Sequence, residues 1–270
     1  MRPFLTGILT LLFFVNLEAV ENYPSGARSR ALSNAFVSVS DTWSTFHNQA
    51  GIANLSAFSA GFYYESRFMI DELSLASASI VIPIKAGRFG LSFYQFGSGT
   101  FKQHKAGLAF AKKLSGKINA GVQLDYFSQR FPENDNAAGF ISFEAGLIYS
   151  ASNELEFGAH FFNPIKAGFE TLEGKQEMPM SFRFGCHYKF PEMINLIFEA
   201  DKTGDHPFMF KSGLEFSPAE YLILRLGISG KPVNYTAGIG IKTGKITTDI
   251  AFAYHGNLGV TPSVSIQFNY

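Results

Sequence analysis

From about residue 57 onward, hydrophobic and polar residues alternate with a period of two. That is the pattern of a strand with one face in an apolar medium and the other against polar groups. The carboxyl third carries it most cleanly. Leu222, Leu224, Leu226 and Ile228 interleave with Ile223, Arg225, Gly227 and Ser229. Ile246, Thr248, Ile250, Phe252 and Tyr254 interleave with Thr247, Asp249, Ala251, Ala253 and His255, and Val264, Ile266, Phe268 and Tyr270 with Ser263, Ser265, Gln267 and Asn269. Runs at 118–126 and 180–189 repeat the arrangement.

The pattern predicts roughly fourteen strands, within the even-numbered range of outer-membrane barrels. They fall near residues 57–67, 72–84, 88–98, 103–114, 117–130, 138–150, 154–164, 178–190, 194–203, 207–216, 221–230, 234–243, 246–256 and 261–270. Short joints rich in turn-forming residues, at 115–117, 150–153, 217–220 and 243–245, alternate with longer ones at 131–137, 164–177 and 256–261. Bacterial barrels alternate short periplasmic turns with longer external loops in this way.

An open sheet edge in hydrocarbon would leave backbone groups unpaired at several kcal/mol each, so such strands must close on themselves. The predicted fold class is all-β, a transmembrane antiparallel barrel in the bacterial outer membrane with lipid as its outer partner. Cations on a lipid face at midplane cost roughly 2 to 4 kcal/mol. The ionisable residues of the alternating rows, Arg183, Arg225, Lys242, Asp249 and His255, are therefore assigned to the lumen.

Residues 1–19 read as a cleaved export signal, with Arg2 as a positive start, an apolar run over 4–15, and Leu17-Glu18-Ala19 before the cut. No later stretch reaches the roughly 18 apolar residues of a membrane-spanning helix. Residues 56–270 then form the barrel. Residues 20–55, weakly alternating and rich in Gly and Ala, are too few to fold alone and precede a lumen that needs filling. Their natural place is inside, as a hatch.

Composition sharpens this. The chain is 46% hydrophobic and 16% aromatic, with 30 Phe and 26 Gly, but only 16% charged, against about 25% for soluble domains. A soluble sandwich or lipocalin-like barrel would show Lys and Glu on its polar face, where this chain has mostly Gly, Ser, Asn and Ala. A net charge of +0 excludes a nucleic-acid partner, and the single cysteine, Cys186, excludes an internal disulfide.

Catalytic signatures are missing, and Gly238-Ile239-Gly240 lies within a strand, not at a phosphate-binding turn. No enzymatic activity, cofactor or metal is predicted. His160, His187, Glu144, Glu156, Glu199 and Asp201 fall on or near the same polar faces, where structural ion pairing outweighs an acid/base site. Phe68, Met69, Ile70, Phe169 and Leu172 in the outer loops either receive a hydrophobic ligand or pack loop against loop.

One stretch carries a family resemblance. Residues 26–41, GARSRALSNAFVSVSD, lead to Asn48-Gln49-Ala50-Gly51, and the chain ends on a hairpin closing at Tyr270. This is similar to the entrance and the last hairpin of FadL-like and PorV/PorQ-like outer-membrane proteins, in which a comparable run leads to Asn-Pro-Ala-Gly. Gln49 stands where that signature has proline, removing the fixed backbone angle that proline imposes. The resemblance covers about a quarter of the chain. It implies a barrel of about fourteen strands with an N-terminal hatch, and either of two jobs. One is passage of hydrophobic small molecules; the other is protein-protein binding in a Bacteroidetes-type (type IX) secretion system. Resemblance to outer-membrane proteins generally implies that Tyr270 belongs to the signal read by the barrel-assembly machinery.

Overall fold

A computed structural model describes residues 21–99, 101–131, 134–171, 174–191, 193–230 and 232–270; the expected export signal and Leu172 lie outside them. Among the described residues, fourteen antiparallel strands form one closed barrel. They are β1 (Ser59–Ser66), β2 (Ser74–Ile84), β3 (Gly87–Phe96), β4 (Lys102–Lys113), β5 (Ile118–Phe131), β6 (Asn134–Ser150), β7 (Leu155–Phe162), β10 (Ser181–Lys189), β11 (Ile194–Thr203), β12 (Met209–Ala219), β13 (Leu222–Ser229), β14 (Asn234–Thr243), β15 (Ile246–His255) and β16 (Gly259–Asn269). A separate hairpin, β8 (Gly168–Thr171) with β9 (Gly174–Glu177), lies in the β7–β10 connection. Each barrel strand pairs with its neighbours in the barrel order. The ring closes where β1 meets β16, with Phe62 opposite Ile266 and the Tyr270 N–H donating to the Phe58 carbonyl at 2.9 Å.

The alternation resolves into an inside and an outside, with the apolar set outside. On β14 Ile239 is 49% exposed while Thr236 is 5% exposed, and on β15 Phe252 is 51% exposed while Asp249 is 2% exposed. A barrel folding in water would reverse this. The outward Phe, Leu, Ile and Tyr continue around the barrel on every strand, and the inward set mixes Gly, Ser, Asn, Gln and paired ions with buried apolar side chains such as Tyr63, Tyr94, Phe127 and Ile197.

Tight connections at one end, such as 85–86 and 244–245, contrast with longer ones at the other, such as 67–73 and 163–180; these are called here the turn end and the loop end. Two expected connections differ. Phe131 continues β5 and residues 134–137 continue β6 beyond the expected strand ends, with Arg130 opposite Ala137 and a register shift before Phe131. Aromatic packing ties the base of these strands' extension to the interior core: Phe127 stacks on Phe140 at 4.9 Å, and Phe169 of β8 meets Phe140 edge-on at 4.7 Å. Phe169 thus packs loop against barrel. The last connection shrinks to residues 256–258, because β16 already begins at Gly259.

Candidate functional site: an interior segment between two cavities

Residues 26–54 lie within the barrel, and nearly all of them are buried. The segment opens on a short helix, α1 (Ala27–Ala31), that starts at Gly26 with φ 112°. A Cβ on Gly26 would come within 2.6 Å of Trp43 Cγ, so glycine is required there twice over, by backbone angle and by the indole packed against it. Past α1, Ser33 and Asn34 both take left-handed angles, reversing the chain. Asp41 then caps the 3-10 turn Thr42–Phe46 by accepting the Trp43 N–H at 2.8 Å, and Asn48 caps Gln49–Asn54 by accepting the Ala50 N–H at 3.1 Å.

Three pairs of glycines directly opposite each other on adjacent strands let this segment touch the wall: Gly121 with Gly146, Gly158 with Gly185, and Gly213 with Gly227. Each pair receives one point of the segment. Asn48, Gln49 and Ala50 lie on the first pair, Val37 on the second, Leu32 and Ser33 on the third. Any Cβ there would sit in the space the segment fills, 2.6 Å from the Val37 carbonyl carbon at Gly158 and 2.8 Å from Leu32 Cβ at Gly213.

Polar groups complete the attachment. Glu199 Oε2 accepts from the Phe36 and Val37 N–H groups at 2.8 and 2.9 Å. Arg28 donates to both oxygens of Glu215, at 2.9 and 3.0 Å, and pairs with Asp41 at 3.2 Å, while Arg30 pairs with Glu65 at 3.0 Å. Asn48 Nδ2 donates to the Val37 carbonyl at 2.6 Å and to the Leu147 and Ala159 carbonyls of the wall at 3.2 and 3.3 Å. Gln49 Nε2 donates to Glu144 Oε2 at 2.6 Å, so the residue standing in the proline position uses its side chain to reach β6. Ala50 is fully buried, and a Cβ on Gly51 would meet the Ser44 hydroxyl at 2.5 Å.

The inward ions form a ladder across the wall. Fully buried Lys105 pairs with Glu144 at 2.5 Å and Asp125 at 3.4 Å; His160 Nε2 lies 2.9 Å from Glu144, and Arg183 lies 3.0 Å from His160 Nδ1. Lys211 bridges Glu199 and Asp201 at 3.0 and 2.8 Å, and Arg225 bridges Glu215 and Asp249 at 2.6 and 2.7 Å. His187 and Lys189 face Glu156 at 3.6 and 2.8 Å. Carboxylates held in this way act as fasteners rather than as free bases.

Arg183, Arg225 and Asp249 therefore face inward and are buried, with Arg183 also donating to the His47 carbonyl. His255 stands at the loop-end rim, half-buried. Lys242 departs from the lumen expectation. It has the inward parity of β14 but sits beside the tight turn at its end, where the barrel opens, and is exposed. Arg28 and Arg30 were not singled out from sequence. The available signal was two arginines in an otherwise small and apolar stretch bound for a crowded interior.

Two cavities flank the segment. The one at the turn end, about 510 Å³, is polar, bounded by Arg28, Asn54, Glu156, His187, Lys189 and Asn195. The one at the loop end, about 590 Å³, mixes Phe46, Phe68, Phe162 and Met209 with Arg30 and Asp201. The two arginines of α1 thus point to opposite sides of one partition.

No protein-family model and no curated protein matches the sequence. Solved structures do match. The chain superposes on the Ralstonia pickettii toluene transporter TbuX with a TM-score of 0.72 and 10% identity, covering 91% of this chain and 98% of that one. For the CymD monoaromatic hydrocarbon channel the TM-score is 0.71 at 11% identity, with 93% and 98% covered. A Pseudomonas aeruginosa FadL homologue gives 0.65 at 12%, with 92% and 99% covered. At these identities the likeness is one of fold, a FadL-like barrel.

Proposed function

We propose that this chain is an outer-membrane transporter of hydrophobic small molecules, not an enzyme, with residues 20–55 as its hatch. The observation that carries the reading is the loop-end cavity, lined in part by Phe46, Phe68, Phe162 and Met209 and floored by the interior segment, inside a barrel whose outer surface is apolar. Several hundred Å³ is the ordinary size of a small-molecule site, and here the large apolar side chains stand among many polar residues that could orient a ligand. The solved barrels of the same fold are named as hydrocarbon channels and a toluene transporter, which favours transport over the protein-binding secretion alternative.

In this reading residues 1–19 direct export and are removed, the barrel-assembly machinery inserts the strands, and the loop end faces outward. Asn48, Gln49, Ala50 and Gly51 fix the hatch to β5 and β6, while Arg183, Arg225, Asp249 and His255 belong to its polar surround. Proteoliposomes carrying the barrel should take up a hydrophobic fluorescent dye faster than protein-free vesicles. Equal rates, with the barrel folded by heat-modifiable gel shift, would reject transport.

A further inference from the structure

The mouth of the loop-end cavity holds a feature that the attachment of the interior segment does not explain. The β1–β2 connection places two successive non-glycine residues, Phe68 and Met69, in the left-handed region, with φ 55° and 58°. A side chain makes that conformation unfavourable, and strain of this kind persists only where surrounding contacts hold it. The holding contacts are visible. Arg67 pairs with Glu65 at 2.7 Å and lies over the rings of Tyr23 and Phe96 at 4.6 and 5.3 Å, fixing the base of the turn. The Phe68 N–H donates to Thr261 Oγ1 at 3.1 Å, and the Phe68 ring stands edge-on to His255 at 6.3 Å. His255 is itself fixed, its Nδ1 accepting from the Asn257 and Leu258 N–H groups at 3.3 and 3.2 Å.

The two strained residues point to different places. Phe68 lines the cavity beside His255, Thr261 and Ala253, whereas Met69 and Ile70 are 68% and 44% exposed outside it. An apolar landing surface and an aromatic closure therefore share one strained turn. The turn lies outside the strand pairing, because β1 ends at Ser66 and β2 begins only at Ser74, so its backbone can change without breaking a pair.

We propose that Phe68 is the gate of the loop-end cavity, held shut by the left-handed pair Phe68–Met69, and that it admits apolar solutes received on Met69 and Ile70. The proposal rests on the transport reading for its solute, but not for the gate itself. Ala253 provides the reporter: it is buried, lines the cavity, and pairs across β15–β16 with Thr261, the residue that tethers the Phe68 backbone.

The test uses the whole barrel in detergent micelles, carrying Ala253→Cys with Cys186→Ser, and a water-soluble maleimide. Adding Phe68→Ala removes the edge-on contact and should speed labelling about tenfold. Adding Met69→Asn, a residue that tolerates the left-handed region, should favour the closed turn and slow labelling about threefold. Opposite shifts are the expected result, since general loosening of the barrel would move both rates up. Identical rates in all three proteins, or faster labelling in both variants, would overturn the gate. Dye uptake measured on the same proteins in liposomes tests the other claim separately: no uptake by any of them rejects transport while the labelling rates still decide the gate.

Discussion

Arg28 and Glu215 meet through two parallel hydrogen bonds, Nε to Oε2 at 2.9 Å and Nη2 to Oε1 at 3.0 Å, although 187 positions separate them in the chain. The fork geometry suits guanidinium and not ammonium. Glu215 keeps Arg225 if Arg28 is lost, but Asp41, buried and capping Thr42–Phe46, loses its cation. Arg28→Ala should therefore loosen the interior segment more than the barrel. Breaking a fully buried pair costs about 3 to 5 kcal/mol; the Arg28 side chain is 22% exposed, so on the order of 2 to 3 kcal/mol is expected. The chain's single tryptophan, Trp43, lies in this segment and reports on it. Its emission should shift red at lower denaturant in Arg28→Ala than in the parent, with Arg28→Lys between. Coincident curves would remove Arg28 from the attachment.

The glycine pairs make a steric prediction. Gly158→Ala places a methyl 2.6 Å from the Val37 carbonyl carbon, whereas Gly116, in a turn, has nothing within 4 Å. Overpacking of this kind costs about 1 to 3 kcal/mol. The temperature of the heat-modifiable gel shift should fall for Gly158→Ala and stay put for Gly116→Ala. Equal behaviour would mean that the segment does not press on the wall there.

The outward apolar face is tested at Leu226, 58% exposed in the middle of β13, next to inward Arg225. Leu226→Arg should destabilise the barrel in lipid vesicles by about 2 to 4 kcal/mol, measured by denaturant titration. A neutral result would argue that this face meets water.

Acidity should also weaken the interior. Burial, with a further push from the Arg183 charge, holds the His47 imidazole well below its usual range. The folded state then refuses a proton that the unfolded chain accepts. His47 withholds no stability above the ordinary imidazole value of about 6.5, and stability falls progressively as pH drops below it. Between about pH 7.5 and 5 the Trp43 transition should move to lower denaturant, and His47→Gln should flatten that slope. A parent protein with no slope in this window would contradict the burial of His47.

The strands were legible because each residue of the alternating rows reports its own face: Leu224 and Arg225 alone indicate which way β13 points. Their ends were less so. Residues 131–137 look like a loop by composition, yet Arg130 pairs with Ala137 and Phe131 with Asn134, above the stack of Phe127, Phe140 and Phe169 from three separate strands. Lys242 has the parity of a lumen residue but lies where the strand leaves the barrel, and parity carries no height. The interior contacts were least accessible. Glycine in a strand reads as a weak position, and only the register of β7 with β10 shows that Gly158 and Gly185 form one groove. Gln49 looked like the loss of a proline, yet the Glu144 that receives it is 95 positions away.

That interior arrangement constrains the order in which the molecule is assembled. The segment leads directly into β1, yet it bonds to partners as distant as Ser265, which the Ala27 N–H reaches across 238 positions. Its other contacts are distributed over strands from β1 to β16. A closed ring leaves no side gap through which those contacts could form later. Residues 26–54 must therefore already lie folded back against a still open sheet when β16 zips against β1 and seals them in.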